Sequence, residues 1–330
     1  MSRVDGTVVR SVAVLGLGLI GGSLARRLAP DYDVVGYDAA PETRGAAAAE
    51  GIVVADSTVD AVAGRDLVVL ATPLPALGPA LAAVAGAGPG PVVTDVASVK
   101  APALAAARAA LGSGAGRFVG GHPMAGSERS GFGASDPRLF DGAAWVLCAE
   151  EDTDLTAWLA VAAVVGGLGC RIVPCPAVAH DAAVARVSGL PHLLALTLAG
   201  IGADGGPLAL TLAAGSFRDG TRVAGTRPEL VTALCDSNRQ ALAEVTDDAV
   251  RRLAEARDVL RAGGTVAPLA VAGHAARRHW TGAGLGGRLS TVDASAAGGR
   301  AALLAVGAAG GHVTGVSGTV LDCWLPATDG

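Results

Sequence analysis

Apolar and polar positions divide the chain into two regimes. From residue 8 to about residue 175, short runs rich in Val, Leu and Ile alternate with longer alanine-rich stretches, separated by glycine, proline and polar residues. Apolar runs of four to eight residues bounded by turn formers predict buried strands, and the stretches between them predict helices. Strands are expected at 8–15, 33–37, 66–71, 91–95, 118–120, 144–148 and 170–173. Helices are expected at 22–28, 76–85, 101–111 and 154–165. Such alternation predicts an α/β domain built on a largely parallel, doubly wound sheet, whose ligand crevice lies at the carboxyl ends of the strands.

Beyond Pro176 the period changes. Residues 177–199 form one alanine- and leucine-rich stretch containing His180, Asp181, Arg186, Ser188, Pro191 and His192, with Gly189 and Pro191 expected to break or kink it. Segments 207–214, 228–246 and 247–262 carry apolar residues at spacings of three and four and read as helices. Between them, 215–222 reads as a polar turn. In the last part, 289–292, 299–306, 312–316 and 320–325 read as strand, helix, strand, strand. That segment is too short for a complete βαββαβ regulatory domain; it is either half of one or an additional dimer contact. The division expected is an α/β domain over 8–175, a helical domain over 176–281, and a short extension over 282–330.

Composition narrows the classes. Hydrophobic residues are 51% of 330, enough for sizeable cores, and charged residues 17%. A net charge of −5 without a basic block argues against nucleic-acid partners, and aromatics at 3% leave little for base stacking. Five cysteines without a C-x-x-C pair read as reduced thiols of a cytoplasmic protein, and as neither a disulfide framework nor a zinc site; no metal is expected. The apolar run 11–24 has its glycines at strand–turn–helix positions, unlike a signal peptide. No segment reads as an uncharged, bulky apolar span, so no membrane association is expected.

Two stretches carry chemistry. The strand at 8–15 runs into Gly16-Leu17-Gly18-Leu19-Ile20-Gly21, a G-x-G-x-x-G turn opening a helix. Gly16 permits the tight turn, Gly18 lets backbone approach a pyrophosphate, and Gly21 lets helix and strand pack closely. The second strand ends at Asp38, placed to accept both ribose hydroxyls and to repel a 2′-phosphate. This favours NAD, while neighbouring Arg44 leaves NADP open. Further strand ends carry Thr72-Pro73 and Ser98, and another opens into Gly121-His122-Pro123-Met124-Ala125-Gly126-Ser127-Glu128-Arg129-Ser130-Gly131. Four polar or glycine-rich strand ends converging on one crevice make a site.

Assembled in order, these motifs make the chain resemble the prephenate and arogenate dehydrogenases over about residues 10–280. The resemblance rests on V-L-G-x-G-L-I-G-G-S, D-V-A-S-V-K, G-G-H-P-M-A-G-S-E-x-S-G, H-D-x-x-x-A-x-V-S-x-L-P-H and F-R-D-x-T-R. It implies NAD-dependent oxidative decarboxylation of prephenate to 4-hydroxyphenylpyruvate by a homodimer. His122 would accept a hydrogen bond from the substrate hydroxyl, and Ser98 would bond both substrate and His122. Arg222 would take the substrate carboxylate, and His192 would line the pocket from the helical domain. Ser127 would bind substrate, and Glu128 and Asp219 would be polar gate residues at the pocket mouth. Gly16, Gly18, Leu19, Ile20, Gly21, Asp38, Thr72 and Pro73 would hold the cofactor. Lys100, the chain's only lysine, lies either near the nicotinamide or at an ordinary helix start. The His180-Asp181 pair is expected to organise the start of the long helix.

The chain departs from the family's pattern at Gly189, where histidine is common, and at Val231, where tryptophan is frequent. Both departures bear on side-chain preference and on inhibition by tyrosine. Arogenate or an amino-substituted analogue is the alternative substrate. A non-catalytic protein sensing NAD or tyrosine is the alternative of another class, against which the retention of Ser98 and His122 argues.

Overall fold

The structure, a computed structural model, describes residues 9–88, 90–126, 129–282 and 286–327. The chain forms two compact units. The first takes the residues up to His180 together with Leu289–Leu325, and the second takes Asp181–Arg288.

In the first unit, β1 (Ser11–Leu15), β2 (Asp33–Tyr37), β3 (Val53–Val54), β4 (Leu67–Leu70), β5 (Val92–Asp95) and β6 (Phe118–Val119) form one sheet in the order β3-β2-β1-β4-β5-β6. Every resolved pairing is parallel, with Ala13 opposite Val35 on one side and Val68 on the other. The central strands are apolar on both faces because helices cover both, and β4 is buried throughout. The strand order reverses between β1 and β4, and this is where an open sheet of this type receives its ligand.

A second six-stranded sheet was not foreseen. It contains β7 (Gly121–Pro123), β8 (Ala144–Cys148), β9 (Arg171–Cys175), β10 (Gly287–Asp293), β11 (His312–Ser317) and β12 (Val320–Pro326), in the order β10-β12-β11-β9-β8-β7. The runs at 144–148 and 170–173, expected to extend the first sheet, belong here. β7 pairs antiparallel with β8, and β8 runs parallel to β9. The helix Leu155–Gly167 covers this sheet with Trp158 fully buried, its indole donating to the Leu147 carbonyl at 3.4 Å. The chain crosses between sheets at Gly120. A Cβ on Gly121 would sit 2.5 Å from the Asp95 carbonyl oxygen, so only glycine fits this corner.

Residues 289–325 complete the second sheet. Val313 of β11 pairs with Ile172 of β9, and the helix Gly299–Ala308 lies so close to β9 that a Cβ on Gly307 would come 1.8 Å from the Pro174 oxygen. Arg300 anchors the segment through two main-chain carbonyls, those of Glu150 and Thr153.

The second unit is helical, with a small core of Ala185, Leu242 and Val245 supported by Leu190, Leu193, Cys235 and Ala241. Pro191 does not break its helix. A π-turn over Ala185–Gly189 absorbs the missing N–H, and Leu190–Asp204 continues. Two expectations are corrected. Residues 215–222 are not a turn: Gly215–Thr221 is helical because Phe217 packs onto Gly202, where a Cβ would come 2.5 Å from its ring. The helices expected at 228–246 and 247–262 instead divide at Asn238, into Pro228–Ser237 and Arg239–Arg261. Asn238 is buried and donates its side-chain amide to the Asp181 carbonyl at 2.8 Å.

The run Ala177–Asp204 is long and apolar enough by length and composition to cross a membrane, but it carries Asp181 and Arg186 and so is not an uncharged span. Leu194, Leu196, Leu198 and Ile201 on it are exposed, as are Leu208 and Leu212 beyond it. Apolar exposure on this scale marks an interaction surface.

Candidate active site

The G-x-G-x-x-G turn lies at the carboxyl end of β1, and its geometry explains its glycines. Gly16 has φ +94°, and a Cβ there would come 2.5 Å from the Ala71 oxygen. A Cβ on Gly21 would come 1.8 Å from the Gly16 oxygen, so the helix Leu19–Leu28 can start this close to β1 only with glycine. Gly18 differs. Among the described residues, no atom beyond its chain neighbours lies within 4 Å of its hypothetical Cβ, so the space beside it is open to a ligand. The helix it opens has no acidic residue in its first turn and no side-chain cap, leaving its N–H groups and dipole available to an anion.

Asp38, just past β2, accepts from Leu17 N at 2.8 Å and Ala40 N at 2.9 Å, which fixes its carboxylate at the crevice. Arg44 donates to the Asp38 carbonyl at 2.7 Å and lies over the Tyr37 ring. At the end of β4, the Thr72 hydroxyl is buried without a hydrogen-bond partner among the described residues, and Pro73 beside it is exposed. An orphaned hydroxyl at the switch point, the open space beside Gly18 and an uncapped helix start all fit a dinucleotide.

His122 stands on the first strand after the sheet crossing, opposite Val146. Its backbone is clamped. Asp95, at the end of β5, accepts from Gly121 N at 3.0 Å. Lys100 pairs with Asp95 and donates to the Gly121 carbonyl at 2.6 Å. Both charged side chains are completely buried, which requires such pairing. Lys100 is therefore neither an ordinary helix-start residue nor a group in the crevice; it fixes the peptide that precedes His122. Sequence reasoning missed this clamp, whose signal was a buried-strand aspartate five residues before a lone lysine.

The imidazole of His122 meets that of His180, with Nδ1···Nε2 2.9 Å, ring centroids 5.1 Å apart and planes at 77°. Burial, and then the electrostatic influence of His180 and of the Lys100 ammonium, hold His122 well below the usual histidine pKa, which favours the neutral imidazole at pH 7. A neutral imidazole with one nitrogen already engaged has one nitrogen to offer a substrate.

Ser98 is half-buried on the turn after β5, but the hydrogen bond expected between it and His122 is absent among the described residues; Nδ1 turns to His180 instead. Leu19 and Ile20 are partly buried in the first helical turn. Ser127 and Glu128 lie outside the described residues. His192 and Arg222 belong to the second unit. His192 Nδ1 bonds the Ser188 carbonyl oxygen at 2.9 Å, while Arg222 is exposed at the start of a short 3₁₀ turn, Arg222–Gly225. Gly189, where the family commonly has histidine, packs against Leu242, whose Cδ1 would lie 2.9 Å from an added Cβ. Val231 is buried.

Comparison with known proteins agrees with this geometry. Residues 20–174 match the nucleotide-binding domain of prephenate dehydrogenase, and 176–266 its dimerization domain. Prephenate dehydrogenase of Lactococcus lactis is 33% identical over 258 residues, covering 75% of this chain and 70% of that protein. The structure of Synechocystis arogenate dehydrogenase aligns with a TM-score of 0.72 and 30% identity, over 82% of this chain and 99% of that one. Prephenate dehydrogenase of Aquifex aeolicus, solved with NAD+ and hydroxyphenyl propionate, shares the fold with a TM-score of 0.75 and 24% identity, over 84% and 99%. With both domain models matched in order across most of its length, the chain belongs to the prephenate dehydrogenase family.

Proposed function

We propose that this protein catalyses the NAD-dependent oxidative decarboxylation of prephenate to 4-hydroxyphenylpyruvate in the cytoplasm, as a homodimer. The observation that carries the reading is His122: clamped at its backbone, with one ring nitrogen already committed to His180, and with its pKa lowered by burial. The Gly16–Gly21 turn, Asp38 and Thr72 would hold NAD, which would supply the hydride acceptor for the ring carbon that bears the substrate hydroxyl. His122 Nε2 accepts the hydrogen bond of that hydroxyl and draws its proton as the hydride leaves. The carbon–carboxylate bond then breaks, its electron pair makes the ring aromatic, and the proton returns to the phenol oxygen. Such a positioned base contributes about 10²–10⁴ in rate. Ser98 contacts the substrate from the turn after β5. Arg222 takes a substrate carboxylate through its guanidinium fork, and His192, Ser127 and Glu128 shape the pocket.

Asp38 favours NAD over NADP, because a 2′-phosphate would meet its carboxylate. The homodimer is supported by the exposed leucines of the helical unit, which a second copy would cover, and by the match of 176–266 to the family's dimerization domain. Arogenate is the second reading, supported by the similarity to the Synechocystis enzyme. His122→Asn tests the assignment. It is expected to bind NAD with an unchanged Kd while losing about 10²-fold or more in kcat; near-normal turnover would remove His122 from the chemistry.

A further inference from the structure

The His122–His180 contact contains more than proximity. Two imidazole nitrogens 2.9 Å apart share one proton, and there are two ways to place it. If His122 Nδ1 carries the proton, it donates to His180 Nε2, and His122 Nε2 keeps its lone pair. If His180 Nε2 carries it, His122 Nδ1 accepts, and a neutral His122 must then bear its own proton on Nε2. In that second arrangement His122 can only donate to a substrate hydroxyl. Only the first allows it to accept.

The surroundings of His180 hold its imidazole in place against His122. It is 3% exposed, so water does not compete for Nε2. Its backbone N–H donates to the Pro176 carbonyl at 3.0 Å in the first turn of the helix Ala177–Val184, and Glu150 Oε1 accepts from Ala177 N at 2.6 Å at the start of the same helix. The acceptor is thus presented from a turn that is itself tied down, and the His122 peptide is held from the other side by Asp95 and Lys100. Both ends of the hydrogen bond are fixed before a substrate arrives, as preorganisation requires.

We infer that His180 is a positioning residue that holds His122 in the Nδ1–H tautomer and aims its Nε2 lone pair at the substrate hydroxyl. This rests on the proposed role of His122 as the accepting base. As the hydroxyl proton moves to Nε2, the Nδ1–H of His122 becomes that of a cation and its bond to His180 strengthens, because a charged donor makes a stronger hydrogen bond than a neutral one. His180 neither contacts substrate nor exchanges a proton with it. The sequence motif that brings His180 here was read only as helix organisation.

The test uses the full-length protein, two substitutions and two readouts. In His180→Leu the acceptor is gone, and kcat with prephenate is expected to fall about ten- to a hundredfold, with the KM for prephenate and the Kd for NAD each within about twofold. In His180→Gln the side-chain carbonyl reaches the place of Nε2, and kcat is expected to recover to within about threefold of wild type. Nitrogen-15 NMR of the ring, in protein without substrate, reads the tautomer directly. Wild type and His180→Gln are expected to show His122 protonated on Nδ1, and His180→Leu to show both tautomers. A wild-type His122 protonated on Nε2 would overturn the inference, and this spectrum needs no variant to fold. An unchanged kcat in His180→Leu would overturn it as well. If instead the spectra follow expectation but wild type turns over neither prephenate nor arogenate, the tautomer lock stands and the proposed reaction fails.

Discussion

Lys100→Met is the perturbation that tests the clamp behind His122. Methionine nearly matches lysine in length and removes only the charge and its donors. The ammonium is fully buried, paired with the equally buried Asp95, and bonded to the Gly121 carbonyl at 2.6 Å. Breaking a buried pair by removing one partner typically costs about 3–5 kcal/mol, because the remaining charge is stranded without water. Asp95 keeps two main-chain donors, Ala97 N at 3.0 Å and Gly121 N at 3.0 Å, which places the expected loss at about 3 kcal/mol, the lower end. For a unit of this size, a loss of 3 kcal/mol lowers the melting temperature by about 6–12 °C. The assay is thermal unfolding of wild type, Lys100→Met, Asp95→Asn and the double variant, under one buffer and protein concentration. The double variant strands no charge and is expected to melt above Lys100→Met, giving a non-additive cycle. A Lys100→Met protein melting within about 2 °C of wild type would refute the buried-pair reasoning.

Gly18→Ala separates folding from cofactor binding: with open space around its Cβ it should melt as wild type yet bind NAD at least about tenfold more weakly, as read by titration calorimetry. Normal affinity would place the pyrophosphate elsewhere. For pH, burial first, and then the electrostatic influence of His180 and Lys100, lower the pKa of His122. The acid limb of kcat/KM should therefore lie clearly below the usual histidine value of about 6.5, and an inflection at or above it would contradict the account. The same depressed value means the unfolded chain binds the proton more readily. The stability this group contributes is therefore present above about pH 6.5 and is lost as pH falls through the folded-state value, which pH-dependent denaturation checks. Gly307→Ala places a Cβ 1.8 Å from the Pro174 oxygen, so it should loosen the 299–325 segment, measured as faster amide exchange in β11; unchanged protection would deny the close packing.

What could be read from the sequence follows from how local each signal is. The glycine turn, Asp38 and the helix Ala101–Leu111 were legible because turn chemistry and apolar periodicity act within about twenty residues. The second sheet was not, because the antiparallel pairing of β7 with β8 and the docking of β11 beside β9 join segments far apart in sequence. The break between β6 and β7 is a single residue, Gly120, and 118–120 reads as one strand with nothing to show that the chain changes sheets there. His122 stood out by its loop, whereas His180, 58 residues away, gave no sign of being its partner. Lys100 looked ambiguous although Asp95 lies only five residues before it, because its burial and its second partner, the Gly121 carbonyl, come only with the fold. The helix Gly215–Thr221, rich in glycine, went unrecognised for the opposite reason: packing of Phe217 on Gly202 outweighs its poor local propensity.

The central claim is the reaction itself, and the most direct measurement is NADH formation by absorbance with prephenate and arogenate offered in parallel to the purified protein. Rapid NAD-dependent turnover of prephenate, with arogenate slower or inert, is the predicted result. Measurable NAD binding with no turnover of either substrate would contradict it and point to a sensing protein.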